Sequence, residues 1–416
     1  MPAQRIRCLT SVPSAFMLID GKKLSRGTKN LSCLVAGLCL LIFCSPKQDE
    51  TERIMEDGVE VIINHLEPYK IEGEPSTLHL EEEFTIDTER DEIAKVGLAD
   101  IRDFDVDSQG NIYFFHGREF DRNVIHKFDK EGTFLKSLGK RGQGPGEIQV
   151  PIVMYVTKTG DLPIQDGNTQ RLYIFDTEGA LIRETRIESQ NRIGNLVFYP
   201  LINGNYLKYG EYFDPESQHR QNILQLCNSR FEMLKDLDRC DHGKAMPFTQ
   251  QERIFTPRVF IWQISNGKVY VGHEKRGYDI WVYDLDGHLV KKIRKEYTPA
   301  DVPEAYKENW LVNIGRYKDK LLFPDKMPPF HYFFLDDNGR LYVKTYEEGT
   351  HKDEYMHDIF NSDGLFIARA SMAGYGRWIY PGDSLNRGKA KNDRFYCIRE
   401  KESGFKELVV YKMIWE

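Results

Sequence analysis

One short phrase recurs along the chain, and its recurrence limits the fold more than any average property does. It runs aromatic, Asp or Asn, two residues, Gly, one residue, then two apolar residues. Phe128-Asp129-Lys130-Glu131-Gly132 precedes Phe134 and Leu135, and Phe175-Asp176-Thr177-Glu178-Gly179 precedes Leu181 and Ile182. Tyr283-Asp284-Leu285-Asp286-Gly287 precedes Leu289 and Val290, and Phe360-Asn361-Ser362-Asp363-Gly364 precedes Phe366 and Ile367. A weaker copy, Cys227-Asn228-Ser229-Arg230-Phe231 with Met233 and Leu234, lies between the second and third. A strand–turn–strand unit repeated in this way marks a repeat architecture.

A second phrase precedes each copy. Asp107-Ser108-Gln109-Gly110-Asn111-Ile112-Tyr113-Phe114, Gly204-Asn205-Tyr206-Leu207, Asn266-Gly267-Lys268-Val269-Tyr270-Val271 and Asp337-Asn338-Gly339-Arg340-Leu341-Tyr342-Val343 are polar turns with Gly, followed by alternating apolar residues. Asp or Asn beside Gly between such runs signals a hairpin, because the turn needs positive φ. Each unit then reads as four short strands, a to d. In the first, Ile101 to Val106 is a, Asn111 to Phe115 is b, Val124 to Phe128 is c and Thr133 to Leu138 is d. Four-stranded units of this length are propeller blades. Further blades centre on Tyr155–Arg186, Asn195–Leu237, Arg258–Arg294 and Tyr332–Arg369. A last unit, Trp378 to Met413, lacks a fourth strand, and the alternating stretch Leu78 to Ile86 can supply it, closing the ring without an exposed edge. The expected fold is all-β: a six-bladed β-propeller of four-stranded antiparallel blades over residues 77–416, closed by an N-terminal strand that joins the last blade.

The run Lys140-Arg141-Gly142-Gln143-Gly144-Pro145-Gly146-Glu147 follows the first outer strand. With Asp-x-x-Gly-Asn-Ile-Tyr and Phe-Asp-Lys-Glu-Gly, it resembles the signature of six-bladed, NHL-type β-propeller lipoproteins of Bacteroidetes. The resemblance spans about Leu78 to Trp415, is complete only in the first blade, and implies a fold rather than a reaction.

The N-terminus carries a different message. Lys22, Lys23, Arg26 and Lys29 form a basic region, and Leu31 to Phe43 an apolar one. That is too short for a membrane span of roughly 20 residues. Residues 1–43 read as a presequence, with Met17 an alternative start to Met1. Cys44-Ser45-Pro46-Lys47-Gln48-Asp49-Glu50 resembles a bacterial lipoprotein signal, which implies lipidation at Cys44, an outer-membrane location and exposure at the cell surface. Leu41-Ile42-Phe43 departs from the small residue usual before the lipidated Cys. The competing reading is an uncleaved anchor or a buried helix. Residues 44–76 read as a flexible polar tether. Past Cys44 only Cys227, Cys240 and Cys397 remain, expected as free, half-buried thiols rather than a disulfide, metal or redox set.

The net charge of -7 is spread along the chain and gives no basic face for nucleic acid. Chemistry is therefore sought in the loops. The a–b and c–d turns are short, whereas 117–123, 211–221, 238–257, 296–329, 347–354 and 372–383 are long and fall at the opposite end of the ring. Loops on a rigid scaffold usually carry function. Tyr306, Trp310, Arg316, Tyr375, Arg377 and Trp378 lie in or beside these loops, as do Tyr297, Tyr317 and Tyr380. Rings beside guanidinium groups can bind a sugar, peptide or aromatic ligand; the competing reading is that they pack the loops onto the propeller. A short helix is expected over 300–312.

Other motifs read as structural. Gly142–Glu147 opens no helix and lacks a following Lys-Ser/Thr, so its glycines serve a chain crossing rather than a phosphate. His351 and His357 have metal-ligand side chains but straddle a loop and a strand, and Asp238, Asp241 and His242 near Cys240 read as a solvated loop. Neither Gly-x-Ser-x-Gly nor His-Glu-x-x-His occurs. The leading functional expectation is a lipid-anchored binding or scaffold module for a glycan, peptide or protein partner, with no cofactor. The alternatives are a metal-dependent hydrolase or lyase of the gluconolactonase-like propeller type, with calcium in the channel, and a docking ring within an outer-membrane assembly.

Overall fold

A computed structural model describes residues 51–115, 123–187, 196–244, 253–254, 258–304, 306–308, 311, 321–351, 354–373 and 388–416. Its strands form six antiparallel blades, a six-bladed β-propeller as expected. Blade one is Asp103–Val106, Ile112–Phe115, Asn123–Phe128 and Phe134–Lys140, within two residues of the ranges expected from sequence. Blade six is Lys389–Lys391, Arg394–Glu400 and Lys406–Trp415, and its outer strand is Leu78–Asp87 from the other end of the described chain. Register runs from Glu407 opposite Asp87 to Trp415 opposite Leu78.

The recurrent phrase is a single hydrogen-bonded device. In the c–d turns, Oδ1 of Asp129 accepts from the backbone N–H of Glu131 and Thr133. Asp176, Asn228, Asp284 and Asn361 repeat this pairing at the same spacing. The glycine two before the end of each turn has positive φ and faces the outer strand of the preceding blade. A Cβ would stand 2.8 Å from Phe84 at Gly132, 2.8 Å from Leu138 at Gly179, 2.8 Å from Leu237 at Gly287 and 2.9 Å from Ile293 at Gly364. Glycine is thus required twice over, by dihedral and by close approach. In the weaker copy Phe231 adopts φ 64 instead, and its ring packs edge-on against Phe198 at 4.9 Å. The turn phrase is therefore mortar between blades.

The signature loop has a similarly local cause. Glu147 folds back so that Oε2 accepts from Gly144 N–H at 2.9 Å. A Cβ at Gly142 would lie 2.0 Å from that carboxylate. The glycines make room for the glutamate, and the loop carries strand d of blade one into blade two.

Two expectations are corrected. The tether over 44–76 is partly folded: Glu52–Glu56 and Val59–Asn64 form a hairpin, and the second strand pairs in parallel with Leu289–Lys295, the outer strand of blade four. Asp57 and Gly58, both at positive φ, make its turn. Val61 and Ile62 are fully buried, and Asn64 donates to Gly364 O and accepts from Phe366 N, tying blade four to blade five. Glu56 bonds Arg294 and Lys292, and the Arg294 hydrogen bond first among these contacts holds its carboxyl down at about 2. Secondly, the described parts of two expected loops, 211–221 and 238–257, are largely strand: 211–213, 219–221, 238–244 and 253–254. Blade three extends its strands to Tyr206–Phe213, His219–Cys227 and Met233–Lys244, because backbone groups along the long hairpin pair across it, with register shifts in its outer pairing.

Candidate functional site

The innermost strand of every blade borders one channel of about 850 Å³. Its lining is divided. Tyr155, at the end of strand a in blade two, stacks on Tyr199 of blade three with centroids 4.1 Å apart. Tyr199 meets Trp262 of blade four edge-on at 5.8 Å, Trp262 lies 6.2 Å from Tyr209, and Tyr209 stacks on Phe260 at 5.5 Å. These five rings make an aromatic wall across three blades, with Tyr199, Tyr209 and Trp262 half-buried. Burial pushes the Tyr155 and Tyr199 phenols up, and Asp105 adds to the effect on Tyr199, so both stay protonated.

The opposite wall is polar. Lys389 Nζ of blade six bonds Asp105 Oδ1 of blade one at 2.7 Å, and Asp105 Oδ2 accepts from Val156 N–H at 2.7 Å. Lys391 Nζ donates to Val106 O at 3.0 Å. Arg102 and Asp103 continue this wall. At the long-loop mouth Glu211 stands 3.5 Å from Arg258 and 3.7 Å from Arg220. Asp105 is thus held by Lys389, Glu211 lies between two arginines, and Asp336 accepts from Tyr342 OH and the Arg340 N–H of its own turn.

The residues singled out in the loops fare differently. Tyr306 is 2 % exposed and packs with Val302, Met327 and Tyr346, so its ring is buried against blade five. Trp310, Arg316, Tyr375, Arg377 and Trp378 lie outside the described residues, as does Cys44; within the short helix expected over 300–312, residues 304, 306–308 and 311 are helical. His357 is buried on strand c of blade five with Nδ1 on Tyr355 O, away from His351 in the exposed turn before it. Burial lowers the His357 imidazole to about 3 and the neighbouring Lys344 amine to about 8. Both sit on strands behind the channel wall. Cys227, Cys240 and Cys397 are free, as expected, but fully rather than half buried.

The aromatic wall was missed in sequence because its members look like ordinary strand residues. Tyr199 and Trp262 stand in short inner strands, where an aromatic at alternate positions signals core. Only the closure of the ring turns those strands toward a shared space.

The 238–242 segment is the other correction. It belongs to the outer strand of blade three; the Asp238 and His242 side chains are buried there, and Asp241 is exposed. Cys240, His242 and Glu274 bring a thiol, an imidazole and a carboxylate within 4.8 Å of one another.

No protein-family model matches the chain, and no curated protein does. Solved structures do. A member of the DUF4221 family from Bacteroides vulgatus is similar over 82% of this chain and 100% of its own, at 12% identity and a TM-score of 0.50. A Bacteroides fragilis protein described as exported covers 85% of this chain and 99% of its own, at 13% identity and a TM-score of 0.47. The virginiamycin B lyase of Staphylococcus aureus covers 81% and 100%, at 7% identity and a TM-score of 0.41. Likeness at these identities is likeness of fold.

Proposed function

We propose that this chain is an exported, lipid-anchored β-propeller that binds an oligosaccharide-sized ligand in its central channel. The observation that carries the reading is the division of the channel into an aromatic wall, Tyr155–Tyr199–Trp262–Tyr209, and a charged wall around Lys389 and Asp105. A pyranose has a C–H face that packs on rings and a rim of hydroxyls that pair with charged and amide groups. A volume of about 850 Å³ admits a short oligosaccharide and excludes a folded partner. The loop face expected to bind a partner then serves as the channel's entrance. The relationship to the NHL-type lipoproteins belongs to the same proposal.

Titrating the protein with a panel of neutral and acidic oligosaccharides, followed by tryptophan fluorescence and calorimetry, tests it. Trp262→Ala is expected to weaken binding about tenfold, the size of a lost stacking contact of ~1.4 kcal/mol. If no oligosaccharide perturbs the protein, or if the variant binds with unchanged affinity, the channel reading fails.

The anchor rests on the presequence and Cys44. Among the described residues no helix is long and apolar enough to cross a membrane. In this reading an acyl-modified Cys44 holds the protein at the membrane. Cys44→Ala is expected to move the protein from the membrane to the soluble fraction; retention in membranes would refute lipidation as the anchor.

A further inference from the structure

We propose that Cys240, His242 and Glu274 form a divalent-cation site of the zinc class that clasps blade three to blade four. Cys240 and His242 alternate on the outer strand Met233–Lys244 of blade three, so both side chains leave the same face. Glu274 begins the turn after Lys268–His273, strand b of blade four. By topology both segments are at the long-loop end of the ring, where the blade seam brings them together.

The donor atoms are spaced for a metal. Sγ of Cys240 lies 3.9 Å from His242 Nδ1 and 3.7 Å from Glu274 Oε1, and Nδ1 lies 3.0 Å from Oε1. Tetrahedral bonds of about 2.0–2.3 Å to N, O and S separate neighbouring ligand atoms by roughly 3.3–3.6 Å. Shifts of a few tenths of an ångström, on the order of ordinary thermal displacement, bring all three donors into that range.

The surroundings fit as well. Asn222, opposite Cys240 in the register, places Oδ1 against His242 Nε2, and its amide donates to Tyr209 OH at 2.8 Å. An acceptor on Nε2 fixes the proton there and leaves Nδ1 as the lone-pair nitrogen, the outer-shell arrangement of metal-bound histidines. Nδ1 then faces a carboxylate oxygen 3.0 Å away, a contact that either a proton on Nδ1 or a metal ion between the two completes. Glu274 is braced by its second oxygen, which accepts from Val259 N–H at 2.8 Å. With no metal, burial and the Glu274 charge keep the Cys240 thiol protonated, up at about 12. A thiolate–imidazole–carboxylate set selects zinc-like ions over calcium or magnesium, which prefer oxygen. Three protein donors leave a fourth position for water. The site lies behind the aromatic wall, since Asn222 and Tyr209 also border the channel.

The test uses the purified protein stripped with chelator and titrated with zinc by calorimetry and with cobalt by absorption. Expected are one equivalent bound, proton release on binding, and a thiolate-to-cobalt charge-transfer band that Cys240→Ser abolishes. His242→Gln should also abolish stoichiometric binding, and Asn222→Ala should weaken it roughly 10–100-fold. His242→Gln supplies the answer should Cys240→Ser fold poorly. Absence of stoichiometric binding, or binding that survives both ligand substitutions, overturns the proposal. An imidazolium signal from His242 that persists in the presence of excess zinc overturns it too. These readouts are independent of oligosaccharide binding at Trp262.

Discussion

A chain that begins at residue 89 is expected not to fold. It would retain five complete blades and three strands of the sixth, yet lack Leu78–Asp87. That strand does more than finish a blade. Ile86, 2 % exposed, pairs with Leu408 and packs among Phe104, Phe114, Phe128 and Val410, so it belongs to the cores of blades six and one together. Phe84 packs on the same cluster beside Gly132. Without the strand, Lys406–Trp415 becomes an unpaired edge and the ring opens at the seam between its last and first blades. Denaturant unfolding followed by circular dichroism should show no cooperative transition, and the protein should aggregate. A chain beginning at residue 66 is the control. It loses the hairpin outside blade four but keeps the closing strand, and should unfold cooperatively at a lower midpoint. A cooperative transition in the shorter chain would show that the ring does not depend on closure.

Asp358→Ala is expected to cost about 3–5 kcal/mol, the usual range for leaving one member of a buried ion pair alone. Asp358 is 2 % exposed on strand c of blade five. Its Oδ2 accepts from Tyr278 OH at 2.9 Å and lies 3.4 Å from Lys295 Nζ, both of blade four, and its Oδ1 accepts from Arg369 Nε at 2.9 Å. Arg369 keeps Glu347, 2.6 Å away, when Asp358 is removed. Among the described residues Lys295 keeps the carbonyl of Glu296, at 3.2 Å, and the faces of Phe366 and Tyr278. The penalty therefore falls on a buried ammonium. Asp358→Asn, which keeps the shape and removes the charge, should lose most of the same stability. Asp358→Leu combined with Lys295→Met should recover much of it. The measure is the shift in urea midpoint at constant m. A loss below about 1 kcal/mol, as for an exposed pair, would show that the seam is held by packing alone.

The legible part of the fold was the part written in turns. Asp129, Asp176, Asn228, Asp284 and Asn361 each satisfy two backbone N–H groups within four residues, so the pattern survives reading along the chain. The hairpin over 52–64 carried a signal that the tether reading passed over: Asp57-Gly58 stands between alternating runs. Its docking was not, because a parallel pairing of Val59–Asn64 with Leu289–Lys295 joins segments more than two hundred residues apart. For the candidate site, sequence pointed to the long loops. The structure places Tyr306 in a packed cluster and finds a divided wall in the channel instead.

By itself the sequence determined the repeat, the blade count and the strand that closes the ring, since each depends on local turn chemistry and period-two burial. Tertiary structure alone decided which side chains share a space. Tyr155, Tyr199 and Trp262 come from three blades, and Cys240 and Glu274 from two, so their distances depend on how blades pack about the axis. That packing is set by contacts between residues far apart in the chain. No spacing along the sequence encodes it.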